Sequence, residues 1–211
     1  MLHILLILHL IISSSGMQNP GDGRLKTILF FGDSITAGLG IDPDQAFPAL
    51  IQKKVEGEKW MFRVINGGVS GETSAGGLRR INWVLQRKID VLILELGGND
   101  ALRGVDLENT KSNLQGIIER VRKKDPEVRI IVAGMQAPPN LGLAYTTKFQ
   151  KMYPDLVKKN KTAFIPFILQ DVGGIRDLNL PDGIHPTVEG HKIVAETVWK
   201  VLKPVLVSIM R

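Results

Sequence analysis

A serine, a histidine and an aspartate have the types and positions that nucleophilic acyl chemistry requires. Ser34 follows a short apolar run, and outside the N-terminal segment the chain has two histidines, His185 and His191. Serine is a weak nucleophile that needs a base to take its proton, and histidine is the usual base. Asp182 precedes His185 by three residues across Gly183, so its carboxylate can fold back onto the second ring nitrogen. This spacing predicts a Ser-His-Asp hydrolase that needs neither metal nor cofactor.

Three groups are candidates for stabilising the oxyanion of such a reaction. Ser34 opens a predicted helix, whose first backbone N–H groups attract developing negative charge. Gly71 offers an unobstructed backbone N–H, and Asn99 offers a side-chain amide. We therefore expect an oxyanion hole of Ser34, Gly71 and Asn99. Asp33 and Asp100 adjoin it and are expected to brace loops, with Asp33 also a candidate contact of the substrate.

The elements that must position these residues are strands alternating with helices. Apolar runs predict strands at 27–31, 62–65, 91–96, 128–133 and 162–167, and helical spacing predicts helices at 47–55, 73–86, 107–121, 145–158 and 188–205. Pro154 weakens the fourth helix, and Pro166 suggests an edge position or an end for the last strand. The alternation predicts an α/β fold: a three-layer α/β/α sandwich around a parallel sheet of about five strands. Ligands of such sheets bind beyond the carboxyl ends of the strands, where the candidate residues follow.

Four short blocks in this order resemble those of a known family, the SGNH or GDSL hydrolases. The blocks are Gly32-Asp33-Ser34, Gly71, Gly98-Asn99-Asp100 and Asp182-Gly183-Ile184-His185-Pro186. The resemblance extends from residue 27 to about 205 and is closest to bacterial arylesterases and the thioesterase I/protease I/lysophospholipase branch. Residues 95–100 and 102–104 read similarly there, whereas Ile35-Thr36 is a mild variant of the first block.

This resemblance implies a role for each matching residue and a flavodoxin-like fold. Ser34 would be the nucleophile, His185 the base and Asp182 its orienting partner. Gly71 and Asn99 would join the backbone N–H of Ser34 in the oxyanion hole. The implied substrates are small carboxylic esters, including aryl esters and short to medium acyl esters, with thioesters and lysophospholipids as further candidates. No cofactor and no metal is implied.

Two other functions remain open at this point. A carbohydrate-ester deacetylase would belong to the same family, and a non-catalytic flavodoxin-like module could use the glycine turns to hold a phosphate. The chain has no P-loop, no dinucleotide-binding fingerprint and no G-x-S-x-G elbow. The absence of cysteine excludes a cysteine nucleophile, thiolate metal sites and disulfides.

The segment 136–144 follows the fourth predicted strand and should overhang the same cleft. Leu141 and Leu143 would then form an apolar lip that contacts the acyl chain or the leaving group. Alternatively, both leucines pack onto the helix that begins near Tyr145.

The length of 211 residues fits one domain, which we assign to 26–211. The net charge is +6, but the basic residues form short clusters and aromatic residues, at 6%, do not interleave with them. Nucleic acid is therefore not an expected partner, and the sequence leaves the oligomeric state open.

The N-terminus carries an apolar run, LHILLILHLII, followed by small residues. This order is typical of a secretory signal, and the run is shorter than the about 20 residues that span a membrane. We assign 1–16 as a signal segment and 17–25 as a lead-in, which predicts a periplasmic or secreted protein without an integral membrane domain. If translation starts at Met17, the protein is cytoplasmic.

Overall fold

Five short strands form a parallel sheet at the centre of the protein. The computed structural model describes residues 24–210, so the predicted signal segment and most of the lead-in lie outside it. The strands are β1 (Lys26–Gly32), β2 (Phe62–Asn66), β3 (Val91–Glu95), β4 (Arg129–Ala133) and β5 (Ala163–Ile165). Their order across the sheet is β2-β1-β3-β4-β5, and every neighbouring pair is parallel. The predicted parallel sheet is therefore confirmed.

Within the described residues, seven α-helices accompany this sheet. They are α1 (Ser34–Ala37), α2 (Phe47–Gly57), α3 (Ser74–Val84), α4 (Gly98–Leu102), α5 (Leu107–Lys124), α6 (Leu143–Asn160) and α7 (Val188–Met210). Helix α2 packs with α7, while α5 packs with both α3 and α6. The chain runs from β1 to β2 in one direction across the sheet, and from β2 onward in the other. Because crossovers between parallel strands are right-handed, α2 and α7 lie on one face of the sheet and α3, α5 and α6 on the other. The three layers match the predicted α/β/α sandwich.

Two elements differ from the sequence-based boundaries because proline is tolerated inside them. Helix α6 continues through Pro154, and α7 continues through Pro204 to Met210. Pro154 lacks the N–H that would bond the carbonyl of Gln150, and both residues are exposed. Water can therefore satisfy that carbonyl. Strand β5 is only three residues long and lies at the sheet edge, where Pro166 directly follows it.

The central strands of the sheet are buried in the hydrophobic core, below the carboxyl edge where the candidate residues lie. Strand β3 is buried along its whole length, and Phe30 of β1 meets Phe47 of α2 edge to face at 5.2 Å between ring centres. Burial on both faces is expected for a parallel sheet covered by helices. Within residues 24–210, no helix combines the length and apolarity needed to cross a membrane.

Candidate active site

The first turn of the site connects β1 directly to the short helix α1. The Asp33 side chain caps this helix by accepting a hydrogen bond from the Ile35 backbone N–H at 3.0 Å. Gly38 ends the helix in the left-handed region at φ 77°. Ser34 is thereby fixed at the first position of the helix, at the carboxyl edge of the sheet, and is 8% exposed.

The structure brings Ser34, His185 and Asp182 together in a hydrogen-bonded chain. His185 Nε2 lies 2.8 Å from Ser34 Oγ, and His185 Nδ1 lies 2.7 Å from Asp182 Oδ2. The other carboxylate oxygen, Asp182 Oδ1, accepts hydrogen bonds from the backbone N–H groups of Ile184 at 2.8 Å and His185 at 3.0 Å. The loop before α7 therefore holds the aspartate against the histidine.

These hydrogen bonds keep Asp182 ionised. The His185 backbone N–H, then the His185 ring, then the Ile184 N–H lower the pKa of Asp182 from 3.8 to about 2. An ionised Asp182 can only accept, so the ring proton of His185 belongs on Nδ1. Nε2 is then free to accept the proton of the Ser34 hydroxyl.

The residues of the three predicted oxyanion donors, Ser34, Gly71 and Asn99, line one cavity. Among residues 24–210, the backbone N–H groups of Ser34 and Gly71 donate to no other group of the chain. Gly71 has φ 76°, a conformation that other residues rarely adopt, and Arg103 anchors its carbonyl through a 2.9 Å hydrogen bond. The Asn99 side-chain nitrogen donates to Asp33 Oδ2 at 3.1 Å. The three groups therefore lie at one cavity, and the Asn99 amide has a second N–H besides the one that bonds Asp33.

The cavity over Ser34 has a volume of about 730 Å³ and walls that are largely apolar. Its apolar side chains come from the turns after β1, β3 and β4 and from the loops before α7; they are Ile35, Leu39, Leu102, Met135, Ala137, Pro138, Phe167, Leu169 and Ile184. Such a cavity can hold an acyl chain beside the nucleophile.

The structure does not bring Leu141 and Leu143 to this cavity. The chain makes a short 3-10 turn over residues 139–141, and α6 begins at Leu143, two residues before Tyr145. Leu141 is therefore half-buried against the core, and Leu143 is 83% exposed beside a separate cavity of about 330 Å³. From this segment, Gln136, Ala137 and Pro138 line the catalytic cavity instead.

Asp100 ties the third turn to two helices. Its carboxylate accepts hydrogen bonds from the backbone N–H and the hydroxyl of Ser74, at the start of α3, and from Thr110 of α5 at 3.2 Å. Asp100 is 1% exposed and does not reach the cavity. This contact holds α4, which carries Asn99, against the rest of the fold.

Glu95 is a buried residue of the site to which the sequence assigned no role. It ends β3 with 0% exposure, and its Oε2 accepts hydrogen bonds from the Asp33 backbone N–H at 3.1 Å and the Thr36 hydroxyl at 2.7 Å. Burial and the nearby Asp33 charge raise the pKa of Glu95 well above its usual value. Burial also raises the pKa of Asp33 to about 6, against the opposing hydrogen bonds from Ile35 and Asn99. A lone carboxyl within the apolar run VLILEL was the available signal.

Arg80 is a second residue that the sequence did not single out. Its guanidinium lies 3.9 Å over the Phe31 ring, pairs with Glu72 and donates to the Gly67 carbonyl at 2.9 Å. It therefore fixes the turn that carries Gly71 to strand β1.

His191 lies away from the chemistry, as expected from its position on the last helix. Its Nδ1 accepts a hydrogen bond from the Phe47 backbone N–H at 3.2 Å, and it is 1% exposed. Burial, with a smaller effect of His185, lowers the pKa of His191 to about 4. No group of three His, Asp or Glu side chains within residues 24–210 is arranged to hold a metal ion.

Comparisons with known proteins show which family the chain resembles in sequence. Residues 30–193 match the GDSL-like lipase/acylhydrolase family. Esterase TesA of Pseudomonas aeruginosa is 40% identical over 182 residues, which cover 86% of this chain and 90% of that protein. The thioesterase 1/protease 1/lysophospholipase L1 of Escherichia coli is 32% identical over 183 residues, or 85% of each chain.

Solved structures show the same likeness. A crystal structure of TesA matches with a TM-score of 0.81 at 39% identity, covering 85% of this chain and 99% of that one. The psychrotrophic esterase EstA from Pseudoalteromonas sp., inhibited by monoethylphosphonate, matches with a TM-score of 0.81 at 27% identity, covering 86% and 98%.

Proposed function

This chain belongs to the GDSL-like lipase/acylhydrolase family and is a serine esterase, and we propose that Ser34, His185 and Asp182 carry out its reaction. The observation that carries this assignment is the continuous hydrogen-bonded chain from Ser34 Oγ through the His185 ring to Asp182, with distances of 2.8 and 2.7 Å.

Acylation of the enzyme begins with proton transfer from Ser34 Oγ to His185 Nε2. The oxygen attacks the ester carbonyl carbon, and the carbonyl oxygen becomes an oxyanion that accepts hydrogen bonds from Ser34 N–H, Gly71 N–H and Asn99 Nδ2. Asp182 stabilises the imidazolium that forms. The bond to the leaving alcohol then breaks, and His185 Nε2 returns its proton to the alcohol oxygen.

Deacylation repeats these steps with water in place of serine. His185 Nε2 takes a proton from water, the hydroxide attacks the acyl carbonyl carbon, and the same three donors stabilise the second oxyanion. The bond to Ser34 Oγ breaks as Nε2 returns the proton to it. Water has then been added across the ester, and the enzyme is restored without a cofactor.

The substrate class follows from the cavity beside Ser34. Its apolar lining suits short to medium acyl chains and aryl groups, because burying each CH₂ is worth about 0.8 kcal/mol. Relatives carry the names arylesterase and thioesterase 1/protease 1/lysophospholipase L1. We include aryl esters, acyl thioesters and lysophospholipids among the candidate substrates of this chain.

A serine-directed fluorophosphonate tests the nucleophile. The probe should label the protein once, and Ser34→Ala should abolish labelling and lower kcat for p-nitrophenyl butyrate by about 10³-fold or more. Ser112→Ala, on an exposed position of α5, is the matched control and should react as the parent does. A folded Ser34→Ala protein that keeps a tenth of the activity would contradict the assignment.

A panel of p-nitrophenyl esters from acetyl to palmitoyl defines the acyl preference. The same panel extended with acetylated xylan separates the carbohydrate-ester alternative, which predicts higher kcat/KM on the sugar ester than on any aryl ester.

We also propose export of the protein, on the basis of the apolar run within residues 1–16. N-terminal sequencing of protein from a cell fraction outside the cytoplasm should begin after that segment; a cytoplasmic protein that begins at Met17 would contradict export.

A further inference from the structure

A carboxyl group lies fully buried beneath the turn that carries Ser34. Glu95 Oε2 accepts two hydrogen bonds, from the Asp33 backbone N–H at 3.1 Å and from the Thr36 hydroxyl at 2.7 Å. Glu95 Oε1 is also buried, and it accepts no hydrogen bond from residues 24–210. Burying a polar group in this way is costly, and the remainder of β3 is apolar.

The difference in hydrogen bonding between the two Glu95 oxygens indicates the protonation state of this carboxyl. An ionised carboxylate needs donors on both oxygens, and leaving one without a donor in a buried place is strongly unfavourable. A neutral acid has one carbonyl oxygen, which accepts, and one hydroxyl, which donates, and a hydrogen bond from the Glu95 side chain is among the contacts that lower the pKa of the neighbouring Asp33. Oε2 fits the first description and Oε1 fits the second.

The electrostatic surroundings favour the same state. Burial and the charge of Asp33 both raise the pKa of Glu95 well above its usual value, whereas the pKa of Asp33 is about 6. The charged and titratable groups that surround this pair are Asp100, Tyr153, His185 and Arg80. None of their side chains forms a hydrogen bond to Glu95 within the described residues. Of the two carboxyls, Asp33 is therefore the one that ionises at the lower pH.

Asp33 transmits this arrangement to the oxyanion hole. Its Oδ1 accepts the Ile35 backbone N–H at 3.0 Å, and its Oδ2 accepts the Asn99 side-chain nitrogen at 3.1 Å. An asparagine amide has two N–H bonds, and Asp33 occupies one of them. The second N–H is left for the cavity, so the position of Asp33 sets the direction in which Asn99 donates.

We propose that Glu95, held as a neutral acid, is a positioning residue for the esterase reaction: through Asp33 it orients the Asn99 amide toward the oxyanion. This inference rests on the proposed role of Asn99. Glu95 itself touches no reacting atom. Neutrality matters because a second negative charge below the oxyanion hole would oppose the charge that develops there.

The glycine before Asp33 fits the same arrangement. A Cβ on Gly32 would lie 2.2 Å from Thr36 Oγ1 and 2.3 Å from Glu95 Oε2, too close for either contact to survive. The space that glycine leaves is the space that the Glu95 carboxyl and the Thr36 hydroxyl fill.

Two variants of Glu95 test this role. Glu95→Gln has the size of the neutral acid and keeps an acceptor for Asp33 and Thr36, whereas Glu95→Met has similar length without an acceptor. In steady-state hydrolysis of p-nitrophenyl butyrate, Glu95→Met should lower kcat about 10- to 100-fold with KM changed less than about twofold. Glu95→Gln should restore most of this loss and follow the pH profile of the parent from about pH 5 to 9.

The affinity for a transition-state analogue separates a positioning role of Glu95 from a purely structural one. A boronic acid that adds to Ser34 places a tetrahedral oxygen in the oxyanion hole. Its affinity should fall in parallel with kcat in Glu95→Met and recover in Glu95→Gln. If Glu95→Met does not fold, Thr36→Val removes one donor to Glu95 and should lower kcat about 3- to 10-fold by the same pattern.

Three other results would contradict the proposed role of Glu95. Equal losses in Glu95→Gln and Glu95→Met would mean that the carboxyl must ionise. Full kcat in folded Glu95→Met, or in Thr36→Val, would mean that the group positions nothing. If Asn99→Ala is also fully active, the proposed oxyanion hole fails first; if Asn99→Ala is impaired and Glu95→Met is not, only the role of Glu95 fails.

Discussion

Asp182 lies 2.7 Å from His185 Nδ1 and also accepts the backbone N–H of the same residue at 3.0 Å. The two contacts come from one tight loop, in which Gly183 has φ 71°. The loop therefore sets the orientation of the ring and places its Nδ1–H on the aspartate, before any substrate binds. A charge-assisted hydrogen bond of this kind is roughly twice as strong as a neutral one.

Asp182→Asn should keep the fold and lower kcat by about 10²- to 10⁴-fold, because an amide can stabilise the wrong ring tautomer. The pKa of Asp182, lowered from 3.8 to about 2, means that the carboxylate is ionised at every ordinary assay pH. Steady-state kinetics on p-nitrophenyl butyrate at pH 8 measures the loss. Asp177→Asn, an exposed neighbour, is the matched control, and a loss of similar size there would indicate disturbance of the loop rather than of the histidine.

Asn99→Ala should lower kcat by about 10²- to 10³-fold, since it removes one of three oxyanion donors. KM should change little, because the donor is used mainly in the transition state. Steady-state kinetics on p-nitrophenyl butyrate measures both constants. A rise in KM with unchanged kcat would show that Asn99 binds the ground-state ester only.

The residues proposed for catalysis could be selected from the sequence because each lies in a short polar turn that follows a buried strand or precedes a helix. Parallel strands bring such turns to one edge, so Ser34, Gly71 and Asn99 could be placed together without knowing any contact. The end of α6 was harder to predict from the sequence. A proline usually ends a helix, but the exposed Pro154 is tolerated because water can hydrogen-bond the carbonyl that it leaves without a donor.

The role proposed for Glu95 could not be obtained in this way. Its presence in an apolar strand is visible, but its partners Asp33 and Thr36 are about 60 residues earlier, and only the pairing of β1 with β3 brings them together. The placement of Leu141 and Leu143 likewise depends on where α6 starts. Gly142, at φ 83°, directs the chain into that helix, and the leucine directions follow from it.

His191 should make the stability of the fold depend on pH. Burial lowers its pKa from 6.5 to about 4, so folding favours the neutral ring. Its contribution is complete well above pH 6.5 and is lost as the pH falls toward 4, by on the order of 3 kcal/mol.

Urea unfolding at pH 7 and pH 4.5 measures this dependence. His191→Asn keeps an acceptor for the Phe47 N–H and should be less stable at pH 7, since it leaves a void. Its stability should fall less than that of the parent between the two pH values. Parallel losses in both proteins would assign the pH dependence to other groups, such as the buried carboxyl pair.

Acyl-chain selectivity should depend on Leu102 and not on Leu143. Leu102, at the end of α4, lines the cavity over Ser34, whereas the exposed Leu143 lines a separate cavity. Leu102→Ala removes apolar surface that only a longer chain can cover, at about 0.8 kcal/mol per CH₂. The ratio of kcat/KM for octanoyl to that for acetyl p-nitrophenyl esters should therefore fall by up to about tenfold.

Leu143→Ala is the matched control for this measurement, because it makes the same chemical change at a leucine that lines a separate cavity. Its octanoyl-to-acetyl ratio should equal that of the parent. The thermal unfolding midpoint of both variants should change little, since Leu102 is 51% exposed and Leu143 is 83% exposed. A selective loss in Leu143→Ala with none in Leu102→Ala would mean that Leu143 contacts the acyl chain, as the sequence alone had suggested.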